Sequence, residues 1–273
     1  MALRDQMEPH AAAGFVMQAK QVLQAAGVQG FLEAAKTILI AGALAVGIHT
    51  FLFQPFYIPS GSMVPTLEIH DYLFVNKFCY GYSRYSFPFA PDFFAGRLPA
   101  GMPKRGDVVV FAPTPAAGSE DLIKRVIGLP GDKIELTNGV LNINGQDVGM
   151  VDEGPVMDDS DGFPVPVEKF AETLPGVPPG GGKVHPILKL TSDGFMNNTP
   201  VYTVPAGELF MMGDNRDNSL DSRVLDDLGY VPVENVVGKA AVIFFSIDLR
   251  APWWAFWEWP VEIRWNRLLR PVT

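Results

Sequence analysis

Between Thr37 and Gln54 the chain runs eighteen residues, TILIAGALAVGIHTFLFQ, without a charge, and the next charged side chain is Glu68. A helix of that length spans about 27 Å, close to the ~30 Å hydrocarbon core of a bilayer. Pro55 follows, lacks the N–H that a helix interior needs, and is the expected stop. The stretch therefore reads as one transmembrane helix over 37–54, and the rest of the chain must be arranged on its two sides. A cleavable leader fits less well, because the run starts after 36 residues and no small-residue cleavage site precedes the next structured region. His49 reads as a tolerated polar position in the helix rather than a proton relay.

Flanking cations set the orientation. Lys20 and Lys36 lie on the N-terminal side, whereas Pro55 to Phe74 has no Lys or Arg. A positive-inside bias puts residues 1–36 in the cytoplasm and 55–273 outside the inner membrane, as a single-pass protein. Phe15, Val16, Val22, Leu23, Val28, Phe31 and Leu32 recur among Gln, Lys and Glu, which predicts a partly amphipathic segment at the membrane surface. The formal net charge of -9 excludes nucleic acid as a partner class and leaves hydrophobic contact as the means of holding the bilayer. Cys79 is the one cysteine, so no internal disulfide forms, and its neighbours Phe78 and Tyr80 give it the look of a core residue.

Beyond residue 68 no comparable run has helical periodicity. Tyr72 to Lys77, Asp107 to Phe111, Lys133 to Thr137, Val140 to Ile143 and Leu209 to Met212 are short strand candidates rich in branched and aromatic residues. Asn138-Gly139 and Asn144-Gly145 are two-residue hairpin turns, since both central positions of a type I′ turn need positive φ. The expected fold is mainly β: a membrane helix, then a mostly β extracytoplasmic domain over 55–273, with a β and loop insertion at about 139–205. Within it Asp152 to Lys183 reads as a solvated insertion and Ser83 to Pro103 as an aromatic, proline-rich loop. Asp158, Asp159 and Asp161 miss calcium-loop spacing, and His10, His49, His70 and His185 are scattered, so no metal and no other cofactor is expected.

Three polar constellations carry chemistry. Pro59-Ser60-Gly61-Ser62-Met63-Val64-Pro65-Thr66-Leu67 presents two hydroxyls on a proline-stiffened turn just beyond the membrane run, a place for a nucleophile. In Leu122-Ile123-Lys124-Arg125-Val126-Ile127, a strand would hold the Lys124 amine among apolar side chains and lower its pKa, as a lysine base requires. The same residues also suit an ordinary surface strand, and His70, eight residues from Ser62, stays open as a second candidate base. Met212-Gly213-Asp214-Asn215-Arg216-Asp217-Asn218-Ser219-Leu220-Asp221-Ser222-Arg223 is dense in short polar groups that favour a self-bonded loop fixing a site.

In that order behind an N-terminal membrane helix, PSGSMVPTL, IKRVIGLPGD and MGDNRDNSLDSR resemble the bacterial type I signal peptidases, membrane-bound Ser/Lys proteases that free exported proteins from their signal peptides. The resemblance runs from about Pro55 to Ile247. It implies Ser62 as nucleophile, Lys124 as general base and Ser60 as a side-chain donor to the oxyanion. It further implies that Ser219 holds the lysine amine and that Asp221 and Arg223 form a supporting pair. Cleavage after small residues, Ala-X-Ala in type, would follow from shallow pockets walled by Phe56, Ile58, Met63, Leu67, Leu122 and Ile123. The implied partners are signal peptides of pre-proteins and the lipid bilayer, with the enzyme working as a monomer. His70 departs from the pattern, standing where relatives usually carry glycine. Two competing readings are a Ser/Lys autoprotease and a membrane-tethered β-domain that binds exported proteins without cutting them.

All five tryptophans, Trp253, Trp254, Trp257, Trp259 and Trp265, fall in the segment 251–273. They fit either an aromatic cluster closing the β core or a surface resting at the membrane interface.

Overall fold

The computed structural model describes residues 8–87, 90, 95–114, 117–118, 120–160, 162–176, 182–190, 194–248 and 257–273. It divides into two compact units, Met1–Ile48 and His49–Thr273. Nearly all that is described of the first is one helix, α1 (Glu8–Phe51). Within it Gln29–Ile48 has a mean hydropathy of 1.8 and buries nothing against protein, so it is long and apolar enough to cross a bilayer. The segment expected as a separate amphipathic piece is continuous with this helix.

Pro55 is not the helix stop. The helix ends at Phe51, and Phe53–Tyr57 forms β1, which pairs antiparallel with β2 (Asp71–Asn76) so that Pro55 lies opposite Phe74. β1 has a neighbour on one side only, and an edge strand tolerates a residue without an N–H. The Tyr82 hydroxyl donates to the Phe51 carbonyl at 2.6 Å, satisfying one of the orphan acceptors at the helix end.

The second unit is built from antiparallel strands. After β2 come β3 (Val108–Phe111), β4 (Leu122–Gly128), β5 (Lys133–Thr137), β6 (Val140–Ile143) and β7 (Gln146–Asp147). The insertion supplies β8 (Gly149–Asp158), β9 (Val165–Leu174) and β10 (Lys183–Lys189), followed by β11 (Tyr202–Thr203) and β12 (Glu208–Met212). β13 (Val231–Pro232), β14 (Val236–Ser246), the short helix α2 (Trp259–Glu262) and β15 (Arg270–Pro271) complete the chain. The main sheet runs β1-β2-β14-β3-β4-β12-β13 with β15 on β14; β10-β9-β8 and β11-β5-β6-β7 form two smaller sheets. Asn138 and Gly139 join β5 to β6 with φ of 50° and 74°, and Asn144 and Gly145 join β6 to β7 with 57° and 79°, the left-handed pair that a type I′ turn demands.

Asp152 to Lys183, expected as a solvated insertion, is regular strand over more than half its length. Most of it is the antiparallel ladder of β8 and β9, two ten-residue strands exposed along much of both faces. Neither shows a regular apolar alternation: β8 has no buried residue, and β9 buries Val167, Glu172 and Leu174, one of them charged.

Burial corrects one expectation and narrows another. Cys79 is exposed, its thiol donating to the Asn76 carbonyl at 3.3 Å, because its three-residue turn directs Tyr80 rather than Cys79 inward. Trp257, Trp259 and Trp265 are 59%, 42% and 64% exposed, so these three close no core; Trp253 and Trp254 lie outside the described residues.

Candidate active site

The serine turn is held from both ends by buried apolar side chains. Ile58, Met63 and Leu67 belong to the core under β2, β3 and β14, each burial contributing on the order of 2 kcal/mol. Pairing of the Ile58 amide with the Asp71 carbonyl, and of the His70 amide with the Ile58 carbonyl, fixes the approach to the turn, both at 2.9 Å. Ser60 then stands extended and exposed as the cap of a one-turn 3₁₀ helix, Gly61–Met63, with its hydroxyl uncommitted to the cap. Ser62 is buried within it.

Lys124 comes from the middle of β4, paired to Val109 of β3. It is 5% exposed, and its Nζ donates to Ser62 Oγ at 2.5 Å. Burial disfavours the ammonium and lowers its pKa to about 8, with Asp221 and Asp214 opposing the drop and Arg223 adding to it. His70 is elsewhere: its ring stacks on Tyr57 at 5.9 Å, and its φ of 66° lies in the left-handed region that favours glycine.

The loop after β12 surrounds this pair. Arg223 donates through Nε and Nη2 to both oxygens of Asp221 at 2.8 Å, and Asp221 also accepts from the Gly213 amide at 3.1 Å. Both charges are buried, and burial of Asp221, which alone would raise its pKa, is overcome by Arg223. Ser219 does not hold the lysine: its Oγ is buried without a hydrogen-bond partner. It packs instead on Gly213, where a Cβ would stand 2.2 Å from Ser219 Oγ and 2.5 Å from the Ser62 carbonyl, so only glycine fits there. Ser219 also lines a cavity of about 410 Å³ with Leu190, Met196 and Leu220.

Of the six residues assigned to the pocket wall, five share one cluster. Phe56 and Ile123 pack, partly buried, against Ile58, Met63 and Leu67. Leu122 does not join them; neighbouring strand residues point to opposite faces, and Leu122 lies on the core that holds Val109, Phe111 and Val126.

Several structural residues escaped the sequence reading. Arg125, next to Lys124, donates to Asp214 through Nε at 2.8 Å and Nη2 at 2.7 Å, and the Thr66 hydroxyl donates to the same carboxylate at 2.5 Å. Burial would raise the Asp214 pKa, yet Arg125 holds it below the usual carboxylate range. Asp214→Ala leaves a fully buried guanidinium unpaired, with an expected loss of about 3–5 kcal/mol in denaturant unfolding. Asn215 donates its backbone N–H to the Ser62 carbonyl at 3.1 Å. On the far side Arg216 grips Glu172 of β9 at 2.8 and 2.5 Å, beside the buried His185, whose Nε2 is 3.4 Å from Glu172. Burial lowers the His185 pKa to about 4, leaving it neutral at pH 7. The only sequence signal for this network was the polar density of the loop itself. Among the described residues no three His, Cys, Asp or Glu side chains cluster as a metal ion would require.

The family model described as "Signal peptidase, peptidase S26" matches residues 31–245. A signal peptidase I of Rickettsia typhi is 45% identical over 215 residues, 77% of this chain and 78% of its own. One from Rickettsia canadensis is 40% identical over 250 residues, 86% and 91% of the two chains. A solved signal peptidase I from Enterococcus faecalis V583, 24% identical, aligns with 50% of this chain and 96% of its own at a TM-score of 0.27, too low to add weight.

Proposed function

Since the chain belongs to the signal peptidase family, peptidase S26, we propose that it removes signal peptides from exported pre-proteins with Ser62 as nucleophile and Lys124 as general base. One observation carries the assignment of the pair: the Lys124 amine lies 2.5 Å from the Ser62 hydroxyl and is almost wholly out of water. When the amine is neutral, the hydroxyl donates to its lone pair. Ser62 Oγ then attacks the scissile carbonyl as its proton passes to Lys124. The carbonyl oxygen, now negative, takes hydrogen bonds from the Ser62 backbone N–H and the exposed Ser60 hydroxyl. The Lys124 ammonium protonates the departing amine, leaving the signal peptide esterified to Ser62 and Lys124 neutral again. Water deprotonated by that amine hydrolyses the ester.

Asp221 and Arg223 neutralise one another beside the lysine, so the loop brings little net charge to the amine. On this reading Phe56 and Ile123, which pack against Ile58, Met63 and Leu67, would wall a shallow recess with room for a methyl side chain, and cleavage after small residues would follow. The apolar stretch of α1 anchors the enzyme in the inner membrane with its N-terminus in the cytoplasm and 55–273 outside, where the lysine bias of the flanks puts them. The enzyme acts as a monomer and without a metal.

A neutral base is what the reaction consumes, so rate must follow its supply. With a pKa of about 8, roughly one lysine in ten is neutral at pH 7, against about one in 2,500 for an unperturbed amine. For pre-protein cleavage, kcat/KM is expected to rise about fivefold from pH 7 to 8 and to level off above pH 9. A rate independent of pH from 6 to 9 is incompatible with Lys124 as base.

A further inference from the structure

The β8–β9 hairpin ends against the nucleophile turn. Asp158, the last residue of β8, accepts from the Asn215 side-chain amide at 2.8 Å through Oδ2, while its Oδ1 accepts from the Ser160 backbone N–H at 3.0 Å. The same Asn215 amide nitrogen donates to the Gly61 carbonyl at 3.3 Å, and the Asn215 backbone N–H donates to the Ser62 carbonyl. One carboxylate at the end of β8 thus holds the side chain of the residue that binds two consecutive carbonyls of the turn, Gly61 through its side-chain amide and Ser62 through its backbone N–H. Asn215 is 2% exposed, so water offers little competition for these bonds.

A second contact is steric. A Cβ placed on Gly61 would stand 2.4 Å from Ser160 Oγ and 2.5 Å from Ser160 Cβ, so the Ser160 side chain already fills the space over the turn. The inserted sheet is also fixed elsewhere, through Glu172 of β9 and Leu188 of β10. Glu172 pairs with Arg216, the Leu188 amide donates to the Asp214 carbonyl at 2.9 Å, and the Arg216 amide donates to the Leu188 carbonyl at 2.9 Å. The insertion is therefore tied both to the loop and to the turn.

We infer that Asp158 and Ser160 are positioning residues for the Ser62 nucleophile, and that the inserted sheet is a brace for the reacting geometry. This rests on the reading of Ser62 as the peptidase nucleophile. Neither residue touches the hydroxyl or the amine. Each acts through the backbone of Gly61 and Ser62, where displacements well below an ångström change the angle of attack.

The test uses the full chain in detergent micelles and a pre-protein substrate, with thermal midpoints recorded for every variant. Asp158→Ala is expected to lower kcat about tenfold with KM within about twofold, and Asp158→Asn, which keeps an acceptor for Asn215, to retain most of the wild-type kcat. Gly61→Ala is expected to lower kcat by about tenfold or more through collision with Ser160, and adding Ser160→Gly, which removes both colliding atoms, to restore most of it. Ser160→Gly alone is expected to lower kcat about threefold, since the turn loses the side chain that fills the space over Gly61. An unchanged kcat in Asp158→Ala, or a change confined to KM, overturns the inference, as does a Gly61→Ala defect that Ser160→Gly leaves in place. Should the wild-type enzyme itself fail to cleave, the peptidase reading falls instead, and the two failures are not confused.

Discussion

Lys124→Met is expected to reduce pre-protein cleavage by on the order of 10⁴-fold while leaving the folded protein at least as stable at pH 7. The first half follows from the contacts of Ser62: among the described residues its hydroxyl bonds to Lys124, and His70 stacks on Tyr57. The second half follows from the sign of the pKa shift. Folding lowers the Lys124 pKa from its ordinary value to about 8, so between about pH 8 and 10.5 the unfolded chain binds more protons than the folded one. The stability penalty is therefore full below about pH 8 and fades as pH rises toward the unfolded value. Methionine, similar in length and without charge, removes that penalty and gives up one amine–hydroxyl bond. We expect a net gain of roughly 1–2 kcal/mol at pH 7 that shrinks by pH 10, read from urea unfolding at the two pH values. A Met variant clearly less stable than wild type at pH 7 would contradict a strained ammonium.

How far the sequence led depended on whether a residue's role was local. Asn138-Gly139 and Asn144-Gly145 dictated their own turns, because positive φ is a property of two residues and needs no context. Lys124 became a candidate through its apolar strand neighbours, which suit an ordinary surface strand as well, and it took the role of base only from the resemblance carried by the three motifs together. Pro55 misled because one residue was read as a helix stop when the deciding fact was the pairing of Phe53–Tyr57 with β2. β14, the long central strand of the main sheet, was missed for a related reason. Gly238, where a Cβ would meet the Asn76 carbonyl oxygen at 2.4 Å, and the Lys239-Ala240-Ala241 run after it break the alternation by which strands are recognised. The links from Asp158 to Asn215 and from Glu172 to Arg216 join residues 57 and 44 positions apart. Nothing in the local pattern of either partner announces the other.

Ser62→Ala separates the readings that the sequence left standing, and its expected result is loss of pre-protein cleavage by at least about 10⁴-fold with the fold intact. The substitution deletes one oxygen from a side chain whose backbone is held by Asn215 and whose neighbours Met63 and Leu67 are fully buried, so little else should move. A membrane-tethered module that only binds exported proteins would process them no differently after this change, because it would never have used the hydroxyl. An autoprotease would lose cleavage of its own chain while showing no turnover of a pre-protein supplied in trans, before or after substitution. The double variant Ser62→Ala with Lys124→Met carries the sharper expectation. If the hydroxyl and the amine act as one unit, removing the second after the first costs nothing more, and the residual rate should equal that of either single variant within about threefold. Two losses that multiply would mean that each residue has its own catalytic task, and the 2.5 Å contact between them would then be a feature of packing rather than of proton transfer.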